Sequence, residues 1–528
     1  MNVFDRLYDY QKEAVVATEK SNKGIICMPT GVGKTYCQAS IIADDIAKNL
    51  NEFRMYVVNA PRIMLSYQLL REVYGFLVRY NIEARYMFVH SGGSSDEKEL
   101  EEIRTRANED GSDIPFSQIA SGTSPKVIGE MIRTAEGQQL PLIFFSTYNS
   151  AERIQIAIES IEVFEERNLV PISIVMNDEA HYLIQEQFHG IVNDGDGSPL
   201  LPSLRCYFFT ATMIHLPSDN GMGMNNEEVY GKVLYQMLPI DAIKIGKMIR
   251  PRLHYVTTDG VYNVDDYNKS LNKIIVDTFK QHEKVLTKMK PKVLVSAKGT
   301  QDIASFLNSD EYNELRQEGV DIYAVASTDE IGNRINDERV RRQEFLKRLK
   351  VDGTNKNKRI IVLHYDILAE GIDVSGFTGI MPLRTLTKSK FLQTFGRSAR
   401  PDFKDRPKID AIVNKNGVIV HDDWKQMNKQ YAYVMIPNII HNNEDDEANT
   451  TQLIRELRTY GFNPSEDIIS TSPGRKSPEV DEPDGVNITT KRPPNLGEII
   501  DNLEMQLEAE EDAKLSEIEL LKKVLNDL

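Results

Sequence analysis

Short apolar runs of four to six residues alternate along this chain with longer stretches whose apolar positions recur every three or four residues. Period-3.6 stretches predict helices, and the runs bounded by turn residues predict strands buried on both faces. That alternation is the mark of parallel sheets covered by helices. Strands are expected at Gly24–Met28, Met55–Asn59, Ile143–Thr147, Ile172–Asn177 and Tyr207–Thr210. A second series falls at Val293–Ser296, Ile322–Ala326, Ile360–His364, Gly379–Leu383 and Tyr433–Pro437. The segment Tyr235–Pro251, with Pro239 and Pro251, joins the two series. Two tandem α/β domains, 1–240 and 241–440, account for this better than one very large sheet. The polar, glycine-containing stretch 91–139 reads as an insertion in the first domain.

Residues 441–495 read as a linker, because Asn463–Asn495 is rich in Pro, Ser, Asp and Glu. Beyond it, Leu496, Ile500, Leu503 and Leu507, then Leu515, Ile518, Leu521, Leu525 and Leu528, form a helical stripe that breaks near Glu511. That C-terminal amphipathic helix of 496–528 either packs on the body or serves a protein partner. The sequence thus ends in a mostly helical or disordered acidic tail.

Composition changes the picture little: 41% hydrophobic and 27% charged residues describe an ordinary globular protein. Charge changes it more. The net charge is -16, but residues 441–528 hold 21 acidic and 9 basic residues, leaving 58 and 54 for the rest. The body is therefore close to neutral and has room for a local basic groove. Cys27, Cys37 and Cys206 form no CxxC pair, which fits reduced core thiols. No run approaches 18 apolar residues and the start lacks a cationic-then-apolar leader. The expectation is an intracellular, cytoplasmic protein without a signal peptide or membrane span.

Two motifs carry chemistry. The first strand runs into Pro29-Thr30-Gly31-Val32-Gly33-Lys34-Thr35 and then a helical pattern. Glycines let backbone N–H groups converge on phosphate oxygens, Lys34 adds a point charge, and Thr35 offers a hydroxyl to Mg²⁺. The strict phosphate-loop pattern has glycine where this chain has Met28. The fourth expected strand ends in Asp178-Glu179-Ala180-His181. An acid at the carboxyl end of a parallel strand beside such a loop suits Asp178 to a Mg²⁺ site and Glu179 to activating water.

In this combination the chain resembles the superfamily 2 DEAH-box helicases and translocases from about Leu7 to Pro437. Leu7-Tyr8-Asp9-Tyr10-Gln11 is similar to their adenine-reading element, with Gln11 as its reader. Ala60-Pro61-Arg62 and Ser146-Thr147-Tyr148 resemble strand-contacting motifs, and Thr210-Ala211-Thr212 the coupling motif. Val295-Ser296-Ala297, Leu368-Ala369-Glu370-Gly371-Ile372-Asp373 and Gln393-Thr394-Phe395-Gly396-Arg397-Ser398-Ala399-Arg400-Pro401 resemble motifs IV, V and VI. The forms look closest to the DNA-directed branch that includes restriction-enzyme motor subunits, UvrB-like and RecG-like proteins and UvsW-like phage helicases.

The resemblance implies two RecA-like domains binding ATP and Mg²⁺ in the cleft between them. Gln11, Pro29, Thr30, Gly31, Val32, Gly33, Lys34, Thr35, Gly371 and Asp373 would line the nucleotide, and Thr35 and Asp178 would hold the metal. Glu179 would serve as base, Arg400 as arginine finger, Arg397 as a second γ-phosphate contact, and Gln393 as their neighbour in motif VI. Arg62, Thr147 and Ser296 would touch nucleic acid, with Thr210 and Thr212 coupling hydrolysis to movement. The function implied is an ATP-dependent DNA helicase or branched-DNA remodelling motor. Alternatives are a double-strand translocase that never unwinds, an RNA helicase, and a nucleotide-gated scaffold.

Overall fold

The computed structural model describes residues 3–50, 52–90, 119–193, 197–217, 221–257, 267–326, 328, 331–365, 376–384, 386–438, 451, 453–463, 466–473 and 486–489. The chain divides into two compact units, Met1–Leu238 and Pro239–Leu528.

The first unit is built on eight strands: β1 (Lys23–Cys27), β2 (Met55–Ala60), β3 (Arg85–Val89), β4 (Ile119–Ser121), β5 (Leu142–Thr147), β6 (Ile172–Asp178), β7 (Ser203–Thr210) and β8 (Lys232–Gln236). They lie in the order β4-β3-β5-β2-β6-β7-β1-β8, with every pairing parallel. All residues of β2, β5 and β6 are buried, as a sheet covered on both faces requires. Helices Pro125–Gly137 and Ala151–Glu165 pack Ile128, Ile132, Ile154 and Ala157 against Met55, Val57, Met87 and Phe144. Each of the isoleucine, valine, methionine and phenylalanine side chains contributes about 1.5–3 kcal/mol when fully buried. One polar row crosses this interior at a single register level. Ser146 Oγ donates to Asn59 Oδ1 at 2.9 Å, and Asn59 Nδ2 donates to Asn177 Oδ1 at 3.0 Å, joining β5, β2 and β6 one residue before their functional ends.

The second unit holds ten strands: β9 (Pro251–Thr257), β10 (Lys292–Ser296), β11 (Val320–Val325), β12 (Asn333–Ile335), β13 (Glu338–Arg339), β14 (Arg359–His364), β15 (Gly379–Pro382), β16 (Ala432–Asn438), β17 (Ile468–Pro473) and β18 (Val486–Thr489). Their order is β13-β12-β11-β14-β10-β15-β16-β9-β17-β18. The run from β11 to β17 is parallel, and β12, β13 and β18 add antiparallel edges.

Two segments differ from the sequence reading. Within 91–139, residues 119–137 supply β4 and a covering helix of the main sheet rather than an insertion; Ile128, Ile132 and Ala135 face its core. Residues 91–118 lie outside the described residues. Within the expected 441–495 linker, β17 and β18 extend the second sheet. The strand β17 is short of large apolar residues but fixed by polar contacts: Thr471 Oγ1 meets His254 Nε2 at 2.8 Å, and Asp467 pairs with Arg250 at 2.7 Å. The expected helix of 496–528 lies outside the described residues. No helix among the described residues is long and apolar enough to cross a membrane.

Candidate nucleotide site

The order β6-β7-β1 sets the acid motif, the Thr210–Thr212 turn and the glycine loop at the carboxyl ends of three adjacent strands. Neighbouring strands lie about 4.8 Å apart, so loop and acid sit about 10 Å from one another across β7. That gap suits a phosphate chain and one cation.

The loop after β1 owes its shape to two left-handed glycines, Gly31 at φ 85° and Gly33 at φ 90°. A side chain at Gly33 would be strained, and its Cβ would stand 2.3 Å from Gln11 Nε2. Gln11 and Tyr10 brace this loop from helix Asp9–Thr18: Gln11 Nε2 donates to Val32 O at 3.1 Å, and the Tyr10 hydroxyl to the same carbonyl at 2.9 Å. Tyr8, half exposed, stacks on Tyr10 with ring centroids 5.6 Å apart. Helix Lys34–Lys48 begins at the loop, so Lys34 and Thr35 occupy its first turn, the positive end of the dipole. Lys34 is buried, and its Nζ donates to Met28 O at 3.3 Å.

The acid motif faces it. Asp178 is buried and accepts from Gln38 Nε2 at 2.7 Å, a contact from the same helix that carries Lys34. Burial first, and then the negative charge of Glu179, push the Asp178 carboxyl well above the usual carboxylate range. Glu179 adopts φ 49°, a left-handed conformation that costs a non-glycine residue roughly 1 kcal/mol. Its Oε2 is buried without a hydrogen-bond partner and stands 3.5 Å from His181 Nδ1. Strain and an unsatisfied carboxylate oxygen in one residue are marks of a functional group held ready.

His181 links this acid to the next strand. Its Nδ1 lies 3.2 Å from Thr210 Oγ1, which donates its one proton to Thr212 O at 2.8 Å and accepts from Thr212 N at 3.1 Å. His181 Nδ1 is therefore the donor toward Thr210. Burial lowers the His181 pKa, against the raising effect of Glu179, and so favours the neutral ring. The Tyr148 hydroxyl donates to the Asp178 carbonyl at 2.6 Å, tying the Ser146–Tyr148 turn to the acid motif. Sequence reasoning missed Gln38 and Tyr148 as supports. Gln38 sits one helical turn beyond Lys34, on the same face, and that spacing was its available signal.

A divalent cation fits these residues. Asp178 is a buried carboxyl whose ionised form Lys34 and Gln38 favour, and the Oε1 of Gln38 and the Oε2 of Glu179 are buried without partners among the described residues. Thr35 is half-buried at the helix start.

The other expected site residues are placed as follows. Arg62 is exposed at the start of helix Ile63–Arg79. The Thr147 and Ser296 hydroxyls are buried and meet Ser150 Oγ at 2.8 Å and His364 Nε2 at 3.2 Å. Gly371 and Asp373 lie outside the described residues. In the second unit, helix Lys388–Ser398 is anchored by Phe391 and Phe395, stacked at 5.7 Å, with Phe395 edge-on to Tyr460 at 4.9 Å. Gln393 and Arg397, also four residues apart, share a different face of that helix. Gln393 is buried, and Arg397 and Arg400 are half-buried.

Comparison with known proteins bears on the family and the fold. Residues 5–214, wholly within the first unit, match the family described as the res subunit of type III restriction enzymes. The type ISP restriction-modification enzyme LlaBIII, in its DNA-bound structure, aligns with 90% of this chain at 16% identity and a TM-score of 0.61. A nuclease-deletion mutant of the type ISP enzyme LlaGI, with a DNA substrate mimic, aligns with 86% at 17% identity and a TM-score of 0.53. The chain spans 32% and 29% of the length of those two enzymes, and at such identities the likeness establishes the fold. No curated protein matches it in sequence. The res-subunit match covers less than half of the chain, and the structural likeness extends the same two-unit α/β fold over most of the rest.

Proposed function

We propose that the chain is an ATP-dependent DNA motor, a helicase or branched-DNA remodelling enzyme that couples ATP hydrolysis to movement on nucleic acid. The observation that carries this reading is buried Asp178 beside half-buried Glu179, with one strained residue and one unsatisfied oxygen, at the strand ends facing Lys34. Such an arrangement is costly for a fold to keep unless it binds a metal–nucleotide and activates water.

In this reading the N–H groups of Gly31 to Thr35 and the Lys34 ammonium hold the β- and γ-phosphates, and Gln11 reads the adenine. Leaving Met28 O frees Lys34 for that contact. Thr35 and Asp178 would hold Mg²⁺, which when bound neutralises phosphate charge. Glu179 orients the attacking water and accepts its proton, and His181 carries the changed state of the acid to Thr210. Arg397 and Arg400 of the second unit stabilise charge on the γ-phosphate, so turnover depends on that unit. Exposed Arg62 is the strongest candidate for a phosphate contact on the track. Thr147 and Ser296 act through turn geometry, since their hydroxyls are spent inside the fold.

A second reading, a double-strand translocase that separates no strands, is favoured by the match to a restriction-enzyme subunit. The two divide on one experiment: ATP-driven displacement of a labelled strand from a fork or four-way junction, beside displacement of a third strand from a triplex. Release from fork or junction supports unwinding. Release of the third strand alone supports translocation, and release of neither contradicts a DNA motor.

A further inference from the structure

The arginine turn of the second unit is fixed by a buried lysine that no sequence motif contains. Helix Lys388–Ser398 ends just before Arg400, and a helix end leaves carbonyls that need donors. Here three successive carbonyls are met. Lys429 Nζ donates to Ser398 O at 2.5 Å and to Arg400 O at 2.7 Å, while Ile249 N donates to Ala399 O at 2.7 Å. Lys429 reaches the turn from the segment leading into β16 and is 2% exposed. Its own backbone is held too: Asp405 accepts from Asn428 N, Asn428 Nδ2 and Lys429 N, at 3.0, 2.7 and 3.0 Å. The ammonium is thus fixed at both ends, and its charge lies where the helix dipole is negative.

Burying an ammonium is costly unless it is fully engaged. The contrast within the same unit is Lys292, fully buried at the start of β10, whose Nζ has no hydrogen-bond partner. Both lysines feel buried Asp402, but only Lys429 touches the turn. With the Ser398, Ala399 and Arg400 carbonyls all pinned, the backbone that carries the Arg400 side chain is fixed.

Resting on the motor reading above, we propose that Lys429 is the positioning residue for Arg400 and Arg397: it sets the backbone turn from which the two arginines reach the γ-phosphate. The contribution is to turnover rather than to nucleotide binding, because the phosphate loop belongs to the first unit.

The test compares Lys429→Met, Lys292→Met and the wild-type full chain for DNA-stimulated ATP turnover, ATP affinity and thermal melting. For Lys429→Met, kcat falls at least about tenfold while the Kd for ATP stays within about threefold. For Lys292→Met, kcat is unchanged. Should Lys429→Met fail to fold, Lys429→Gln, which keeps a neutral N–H donor, takes its place with a smaller kcat loss at unchanged Kd. Wild-type kcat in a folded Lys429 variant overturns the proposal, as does an equal loss in Lys292→Met, which would mark a general core effect. If the wild type hydrolyses no ATP with any nucleic acid, the motor reading fails first and this proposal falls with it.

Discussion

Two adjacent carboxylates at the end of β6 stand in different surroundings. Asp178 is buried and held by Gln38, whereas Glu179 is strained and leaves one oxygen unbonded. Glu179→Gln keeps the shape and removes the proposed base. ATP turnover is then expected to fall ~10²–10⁴-fold with ATP affinity nearly unchanged, read by phosphate release and nucleotide titration. Asp178 gives a stability signature. Its carboxyl pKa is raised in the folded chain, so the stability this group provides is complete below its unfolded pKa of about 3.9. That stability is lost as pH rises toward and through the folded value. Asp178→Asn removes the loss. The variant should melt higher than the wild type at pH 8, by the equivalent of about 1 kcal/mol or more, with the difference shrinking toward pH 4. Metal-dependent turnover should disappear in the same variant.

Among elements, the buried row Ser146–Asn59–Asn177 joins three strands that each lead into a functional turn. Asn59→Leu leaves the buried Asn177 amide oxygen without its donor and Ser146 with only its bond to Thr147 O at 3.0 Å, and is expected to destabilise the first unit by about 1–3 kcal/mol, measured by denaturant unfolding. The apolar runs made all ten predicted strands legible to within a few residues at either end, because full burial on both faces leaves little else for such runs to be. β3 escaped notice although its Tyr86–Val89 run carries that signature; three other missed strands lack it. β8 is an edge strand, Lys232–Gln236, with exposed ends; β9 starts at a proline and buries a histidine; β17 is Ile-Ile-Ser-Thr-Ser-Pro and is held by hydroxyl and carboxylate contacts. At the site, loop and acid were readable because glycine and carboxylate chemistry is confined to short spacings. Gln38, Tyr148 and Lys429 were not: one is an ordinary helical residue, and the others act from 30 and 29 residues away in sequence.

For the whole molecule, the charge concentrated in 441–528 does not mark that region as a dispensable appendage, since β17 and β18 lie inside it. Truncation after residue 463 removes β17, its pairing with β9 and the Arg250–Asp467 ion pair, and exposes an unpaired sheet edge. Such a chain should melt several degrees lower than one truncated after residue 489 and should aggregate more readily. Any search for a regulatory role in the acidic end has to cut beyond β18.

The central claim, a nucleic-acid-driven ATPase, is tested most directly by ATP hydrolysis by the purified chain, alone and with single-stranded DNA, duplex DNA, a four-way junction and RNA. The account predicts strong stimulation by at least one DNA form, abolished in Glu179→Gln. Hydrolysis that no nucleic acid stimulates, or that survives Glu179→Gln unchanged, would contradict it.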